Sequence, residues 1–196
     1  MKHSFLINSR ISKSISNKGE FKYCPKDKNE LKELIRKLLI DGIGDMSCID
    51  ISNITDMSYL FYNLEIAYHK ILDVSNWDVS HVTDMDSMFK NCRLFNNDLI
   101  NWNVSNVRNF QYMFSGCYKF EGNGLEKWNV ENANSSYKMF FYCESLNKDL
   151  SEWNFSSNKD FGLMFCGCNK LTYKPNWKYP TNAITKDMFL YCDYLK

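Results

Sequence analysis

Proline and glycine are scarce in this sequence, and their scarcity argues against an ordinary all-β protein built on tight hairpins. The 196 residues include 3 prolines and 8 glycines, whereas hairpin turns draw heavily on both residue types. Asparagine is abundant instead, and its side chain supports turns by hydrogen bonding to nearby backbone groups. Apolar residues make up 44% of the chain and aromatic residues 16%, which is enough for one domain with a sizeable core.

An excess of charge of one sign is also missing. The 24 basic and 23 acidic residues leave a formal net charge of +1. The chain therefore lacks the field that gathers nucleic acid or an anionic membrane, and we expect neither as a partner. No stretch approaches the ~20 apolar residues of a membrane span, and the N-terminus has no apolar run of signal-peptide length. On these grounds the sequence predicts a cytoplasmic protein.

Motifs that carry chemistry are absent as well. The sequence contains no phosphate-binding loop, dinucleotide fingerprint, nucleophile elbow or zinc-protease motif, and His3, His69 and His81 share no spacing with acidic residues. Cys166 and Cys168 form the closest cysteine pair, but a single C-x-C without a second pair is weak support for zinc. We therefore expect no catalytic residue, cofactor or metal. The remaining alternative is an effector or enzyme that uses Cys166, Cys168 or His81.

What the chain does contain is one unit of about 25 residues written six times. Its tryptophans fall at positions 77, 102, 128, 153 and 177, in steps of 25, 26, 25 and 24 residues. The aligned segments are WDVSHVTDMDSMFKNC (77–92), WNVSNVRNFQYMFSGC (102–117), WNVENANSSYKMFFYC (128–143), WNFSSNKDFGLMFCGC (153–168) and WKYPTNAITKDMFLYC (177–192). IDISNITDMSYLFYNL (49–64) precedes them, with Ile49 in the tryptophan position. Such regularity indicates a repeat architecture.

The apolar positions within a unit predict its local structure. Trp102 and Val104 alternate with polar residues, which is typical of a short strand with one buried face. Val82, Met85 and Met88 follow at a spacing of three, which favours a helical or 3-10 turn. Because one such unit cannot bury its own apolar face, the units must stack. The sequence therefore predicts an α/β repeat solenoid of about six rungs, each made of a short parallel strand plus a helical or 3-10 turn.

The pattern W-x-V-S-x-V-x-x-M-x-x-M-F-x-x-C resembles the 25–26-residue repeat of bacterial surface proteins and mycoplasma-type lipoproteins, which is grouped with BspA-like leucine-rich repeats. The resemblance covers about 150 of the 196 residues. It implies a right-handed, leucine-rich-repeat-like stack that serves as a binding or adhesive surface and has no catalytic residue. It also implies a cell-surface or secreted location as the alternative to the cytoplasm.

Three regions are predicted along the chain. Residues 1–24 form a polar N-terminal segment that is partly flexible, residues 25–44 an N-terminal capping helix, and residues 45–196 the repeats. Asp27 and Glu30 form a capping-box pair, and Gly42 ends the helix. The sequence stops soon after Cys192 without a polar closing element, which leaves three alternatives. The last unit is its own cap, the chain is truncated, or two copies associate end to end.

Two further columns of the repeat consist of cysteine and methionine, which can take part in chemistry, but their regular spacing indicates a role in packing. Five of the eight cysteines share one position in the unit, where a small residue fills a tight inner site. Five of the nine methionines likewise share one position. We interpret both columns as core, with reduced thiols by default.

The candidate functional face consists of the residues that flank each tryptophan, since they point away from the core. Its residues are Asn76, Asp78, Asn101, Asn103, Lys127, Asn129, Glu152 and Asn154. We expect a non-catalytic protein-interaction module that binds a protein partner through this face. An adhesin-like surface protein that binds host protein or glycan is an alternative. An asparagine ladder that hydrogen-bonds between units and binds nothing is the structural explanation for the same residues.

Overall fold

The computed structural model of the chain describes residues 22–65, 68 and 70–195. Within these ranges there is one α-helix, α1 (Lys28–Ile40), and one 3-10 helix, Leu125–Lys127. Parallel pairing between units is limited to isolated bridges. Most of the predicted polar segment 1–24, together with His3 and His69, lies outside the described residues.

Helix α1 forms where the sequence predicts a helix. The Asp27 side chain accepts a hydrogen bond from the backbone N–H of Glu30 at 2.9 Å, and Glu30 in turn accepts one from the backbone N–H of Lys26 at 2.8 Å. These two bonds satisfy donors that a helix start leaves free. Beyond the helix, Gly42 has φ +77°. One face of α1 is buried against the first unit, through Leu31, Leu34, Ile35, Leu38 and Leu39.

Polar bonds also fix α1 to the first unit. Lys28 Nζ donates to Asp56 Oδ2 at 2.6 Å and to Ser58 Oγ at 2.8 Å. Lys32 Nζ donates to the backbone carbonyl of Tyr59 at 3.3 Å. The segment before the helix is attached as well, because Tyr23 pairs in parallel with Ile49. The predicted partly flexible segment 1–24 is described only at residues 22–24, where the backbone N–H groups of Lys22 and Tyr23 donate to the Cys48 carbonyl.

The predicted α/β solenoid of six leucine-rich-repeat-like rungs is wrong. The described residues contain no β-strand and no sheet, and none of the units contains the expected helical turn. The 3-10 helix Leu125–Lys127 lies in the connection before the tryptophan of the fourth unit, not after it. The six units are instead successions of tight turns, which stack on one another in sequence order.

Left-handed residues explain why the apolar spacing does not form a helix. In the second unit, Ser87 and Asn91 have φ values of 54° and 65°, which a right-handed helix does not allow. Four-residue β-turns close around them, with Met88 N–H donating to the Met85 carbonyl and Cys92 N–H to the Phe89 carbonyl. Successive turns of this kind repeat apolar side chains at intervals of three and four, as a helix does. The apolar spacing in the sequence therefore does not distinguish a helix from this series of turns.

The same positions are left-handed throughout the stack. The first of them is occupied by Tyr59, Ser87, Tyr112, Lys138, Leu163 and Asp187, and the second by Asn63, Asn91, Gly116, Tyr142, Gly167 and Tyr191. An aspartate, asparagine or serine opens most of these turns. Asp84 Oδ1, for example, accepts a hydrogen bond from the backbone N–H of Asp86 at 2.8 Å.

Backbone hydrogen bonds join the units through these turn segments, which are residues 57–63, 85–91, 110–116, 136–142, 161–167 and 185–191. The N–H groups of Met85, Ser87, Phe89 and Asn91 donate to carbonyls of the third unit at 2.7–3.0 Å. All five junctions repeat this set of four bonds, always from the earlier unit to the later one. In an α-helix these N–H groups would bond within the unit, so the turn conformation is what allows the units to join.

Aromatic columns fill the core between the units. The rings of Trp102 and Trp128 stack at 6.3 Å with an interplanar angle of 2°, and those of Phe89 and Phe114 at 5.6 Å and 3°. Each tryptophan indole N–H also donates to a carbonyl in the connection before the preceding tryptophan, as Trp102 does to Val74 at 3.0 Å. At Trp-x-Val, the described residues of the second to fifth units form no backbone hydrogen bond to a neighbouring unit. The indole bond therefore takes the place of the strand pairing that the sequence predicts there.

Candidate interaction face

The eight residues of the predicted face are all exposed, while the tryptophan between each pair is buried. We call these eight residues the interaction face. Trp77, Trp102, Trp128 and Trp153 retain 3–4% of their accessible surface. The expected alternation of inward and outward side chains is therefore present at Trp-x-Val, although no strand produces it. The indole hydrogen bonds and the ring stacking hold the flanking residues at regular positions along the stack.

The polar side chains of the interaction face fall into two groups. Those of Asn76, Asn101 and Asn154 have no hydrogen-bond partner among the described residues. Asp78, Asn103 and Asn129 each accept a backbone N–H two residues ahead, at 3.0–3.1 Å. The second group therefore stabilises local turns with one oxygen, and the amide N–H groups of Asn103 and Asn129 stay available.

An amide ladder between units does exist, but it lies outside the interaction face. Asn106 Nδ2 donates to the Ser80 carbonyl at 2.7 Å, and Asn132 Nδ2 donates to the Ser105 carbonyl at 2.8 Å. His81 occupies the same column, and its Nε2 lies 2.8 Å from the Ile51 carbonyl. Sequence reasoning did not single out Asn106 and Asn132. Their common position, four residues after each tryptophan, was the signal that could have identified them.

A groove opens at the N-terminal end of the interaction face. Its volume is about 180 Å³, and its polar lining includes Asp50, Asn76, Asp78 and His81. Hydrogen bonds from the hydroxyl and the backbone N–H of Ser80 lower the pKa of Asp78, which keeps this carboxylate charged at neutral pH. The groove therefore combines a fixed negative charge with amide donors at the edge of the exposed face.

The column of five cysteines is packed in the core or at its edge, as predicted. Each thiol donates to the carbonyl of the repeat phenylalanine in the preceding unit, as Cys117 does to Phe89 at 3.0 Å. Burial raises the pKa of Cys92 to about 12 and raises the pKa of Cys117, Cys143 and Cys168 well above the ordinary value. A thiol that stays protonated is a poor nucleophile.

The residues of the effector alternative are not brought together. His81 contacts the first unit through Ile51, whereas Cys168 donates to Phe140 in the fourth unit at 3.1 Å. Burial also raises the pKa of the Cys166 thiol. Among the described residues, neither Cys166 nor Cys168 therefore lies beside His81, so these three residues do not form the thiol–histidine pair by which a cysteine nucleophile is often activated.

Comparison with protein families identifies a match over most of the chain. A family model described as "Mycoplasma protein of unknown function, DUF285" matches residues 30–133 and 112–195. This match confirms the mycoplasma-type part of the resemblance seen in the repeat, and it gives no support to the BspA-like leucine-rich part. The comparisons with curated proteins and with solved structures return no match. The described part of the chain has no helix with the length and apolarity needed to cross a membrane.

Proposed function

This chain belongs to the Mycoplasma DUF285 family, whose function is unknown, and we propose that it is a non-catalytic module that binds a protein partner through the interaction face. The observation that carries the proposal is the row of exposed amides of Asn76, Asn101 and Asn154, which have no partner among the described residues. They flank tryptophans whose indole N–H groups donate to backbone carbonyls. The Trp102 and Trp153 rings also stack on Trp128.

Rigidity of the backbone supports binding at this face. Association costs conformational freedom, and a surface that is ordered beforehand loses less of it. The Trp102, Trp128 and Trp153 rings are parallel to within 2°, so the flanking side chains repeat at a constant interval. A partner that presents hydrogen-bonding groups along one line can engage several units at once, and its affinity then adds up over the units.

The chemistry of the face indicates a polar partner of mixed charge. Asp78 and Glu152 are acidic and Lys127 is basic, while the other five positions are asparagine. Amides donate and accept hydrogen bonds, so they match a polar protein surface or a run of backbone amide groups. No large apolar side chain is part of the face, which argues against a hydrophobic groove for a partner helix.

A second candidate is an adhesin-like role at the cell surface, with host protein or glycan as the partner of the same face. The groove beside Asp78 and His81 favours it, because a small concavity lined by carboxylate and amide groups suits a sugar hydroxyl cluster as well as a protein side chain. The resemblance to bacterial surface repeats points the same way.

The test is a binding assay with a face variant, in which Asn76, Asn101, Lys127 and Glu152 are all changed to Ala. These side chains have no hydrogen-bond partner among the described residues, so the fold should be unaffected. The matched control changes Lys119, Glu121, Glu144 and Lys170 to Ala. Those residues are exposed in the connections between units, and both variants leave the net charge unchanged.

The intact protein and both variants are used to capture partners from source lysate and from a host-surface extract. We expect a partner that the intact protein and the control retain and the face variant loses. A partner from the lysate would support the internal module, and one from the host extract the adhesin. If both variants capture the partner equally and circular dichroism shows that both are folded, the partner binds outside the interaction face.

A further inference from the structure

The side chains that follow each tryptophan form a straight column along the interaction face. From Trp102 to Trp177, successive ring centroids are 6.3, 6.4 and 6.2 Å apart, and neighbouring rings are parallel to within 8°. These units therefore repeat by translation with little rotation, and the side chains beside the rings recur at about the same interval. We call three of these exposed side chains the asparagine column, which consists of Asn103, Asn129 and Asn154.

The interval of the asparagine column is that of an extended polypeptide. A β-strand advances 3.2–3.4 Å per residue, so alternate residues recur about every 6.4–6.8 Å, with their main-chain carbonyls on the same edge. A polyproline II helix repeats one side only every three residues, about 9.3 Å. An α-helix advances about 6.0 Å in four residues but turns about 40° further at each such step. Of these conformations, the extended chain alone stays in register with a straight column.

The asparagine column offers donors for carbonyl groups. Asn103 and Asn129 each use Oδ1 to accept a backbone N–H two residues ahead, at 3.1 Å. This bond leaves Nδ2 as the group available to a partner, and it also orders the side chain before binding, so less conformational freedom is lost. The Asn154 amide has no partner among the described residues. Three amide donors thus follow one another in consecutive units.

From this geometry we propose that the partner of the interaction face is an extended polypeptide segment that runs along the stack. Main-chain carbonyls of its alternate residues accept hydrogen bonds from Asn103, Asn129 and Asn154. This inference rests on the proposed function and names the class of partner. The main chain supplies affinity, as in other modes that recognise extended peptides. A glycan has no such row of main-chain carbonyls, so the glycan alternative is separated by the test.

The test uses the full chain and nine-residue peptides selected on it from a random phage-displayed library. The selected peptides are synthesised, and their affinity for the protein is measured by fluorescence anisotropy. Each peptide residue is then replaced in turn by alanine. Because alternate side chains of an extended chain point to the same side, alanine should weaken binding at every second residue along about five residues.

Changes from asparagine to aspartate remove the donor and keep the turn. In the double variant Asn103→Asp, Asn129→Asp, one carboxylate oxygen still accepts the backbone N–H, as Asp78 does in the second unit. The other oxygen replaces Nδ2 and repels a carbonyl, so peptide affinity should fall about tenfold or more. The matched control is Asn96→Asp, Asn147→Asp, at two exposed residues whose Oδ1 atoms also accept a backbone N–H. It changes the net charge equally and should bind the peptides normally.

Three results would overturn the proposal. They are the failure to select any peptide, equal affinity for the two double variants, and sensitivity to alanine at every third or fourth residue, which indicates a helical ligand. The capture experiment tests the proposed function separately. A captured partner that the face variant loses and that the peptides displace supports both proposals. A captured partner that the face variant loses but that the peptides do not displace leaves the proposed function standing and overturns the extended segment.

Discussion

Asn158 Nδ2 donates to Ser136 Oγ across the junction between the fourth and fifth units at 2.7 Å. Both side chains are fully buried, in columns that hold apolar residues such as Val107 and Phe110 in the first three units. Asn158 Oδ1 also accepts the backbone N–H of Asp160 at 3.0 Å. In the repeat pattern W-x-V-S-x-V, Asn158 replaces the second valine of the fifth unit. The structure explains this departure, because Asn158 and Ser136 form a buried hydrogen-bonded pair.

Changing Asn158 to Val should therefore destabilise the protein, although valine is the usual residue in this column. The substitution leaves the Ser136 hydroxyl and the Asp160 N–H without their partner, which costs about 1–3 kcal/mol. Urea unfolding of Asn158→Val, Ser136→Ala and the double variant measures the coupling. We expect the double variant to be more stable than the sum of the single changes predicts. Additivity within about 0.5 kcal/mol would show that the two side chains do not interact.

Removal of a central tryptophan should be far more costly than removal of its exposed neighbour. Trp102→Ala deletes a buried ring that stacks on Trp128 and an indole hydrogen bond to Val74, and such cavities cost about 3–5 kcal/mol. Asn101→Ala should change stability by less than about 0.5 kcal/mol. Urea melts of both variants check this, and equal effects would contradict the assignment of inward and outward sides.

Substitutions at Lys138 test the left-handed turn conformation. With φ 53°, this position favours glycine over a β-branched residue, so Lys138→Gly should be more stable than Lys138→Val by about 1 kcal/mol or more. Glu33, an exposed residue within α1, is the matched control. There the order should reverse, because glycine is a poorer helix former than valine. The same order at both positions would indicate a helical turn at Lys138.

Stability should fall above pH 9 in the presence of a reductant. Burial raises the pKa of Cys92 from 9.0 to about 12 and raises the pKa of Cys117, Cys143 and Cys168 well above the ordinary value. The folded state keeps these protons while the unfolded chain loses them, so deprotonation favours unfolding. Each thiol contributes a slope of up to ~1.4 kcal/mol per pH unit between the unfolded and folded pKa values.

Urea unfolding at pH 8, 9 and 10 measures that slope. Cys92→Ala should reduce it by the contribution of one thiol, although the variant is also less stable at pH 8. An unfolding free energy that stays constant between pH 8 and pH 10 would show that the thiols are accessible to solvent in the folded state.

Much of the packing could be predicted from the sequence, because burial follows residue type and spacing. The tryptophan, phenylalanine and cysteine columns, helix α1 with Asp27 at its start, and the exposure of the residues flanking tryptophan all agree with the repeat pattern. These features depend on which side chains turn inward. They do not depend on the backbone conformation that turns them.

The backbone conformation itself could not be predicted from the spacing. A helix and a series of β-turns both place Met85, Met88 and Phe89 on the same side, so their sequence signals coincide. The difference lies in Ser87, Tyr112 and Lys138, which adopt φ values of 53–54° without being glycine or asparagine. Because none of these residue types prefers that region, the local sequence does not reveal the first left-handed position of the unit, whereas Asn63, Asn91, Gly116 and Gly167 do give a signal at the second. The turns are held in place by the bonds between units.

The common direction of the junction bonds also gives the stack an electrical polarity. Four N–H groups at every junction point from the earlier turn segment to the later one, while the one or two backbone bonds in the opposite direction lie outside these segments. The peptide dipoles therefore do not cancel, and the first unit is the partially negative end. The lysines of α1 match this polarity, since Lys28 and Lys32 bond to the first unit. Caps for the two ends thus need opposite electrostatic character, and α1 transplanted to the far end would present its lysines to a field that repels them.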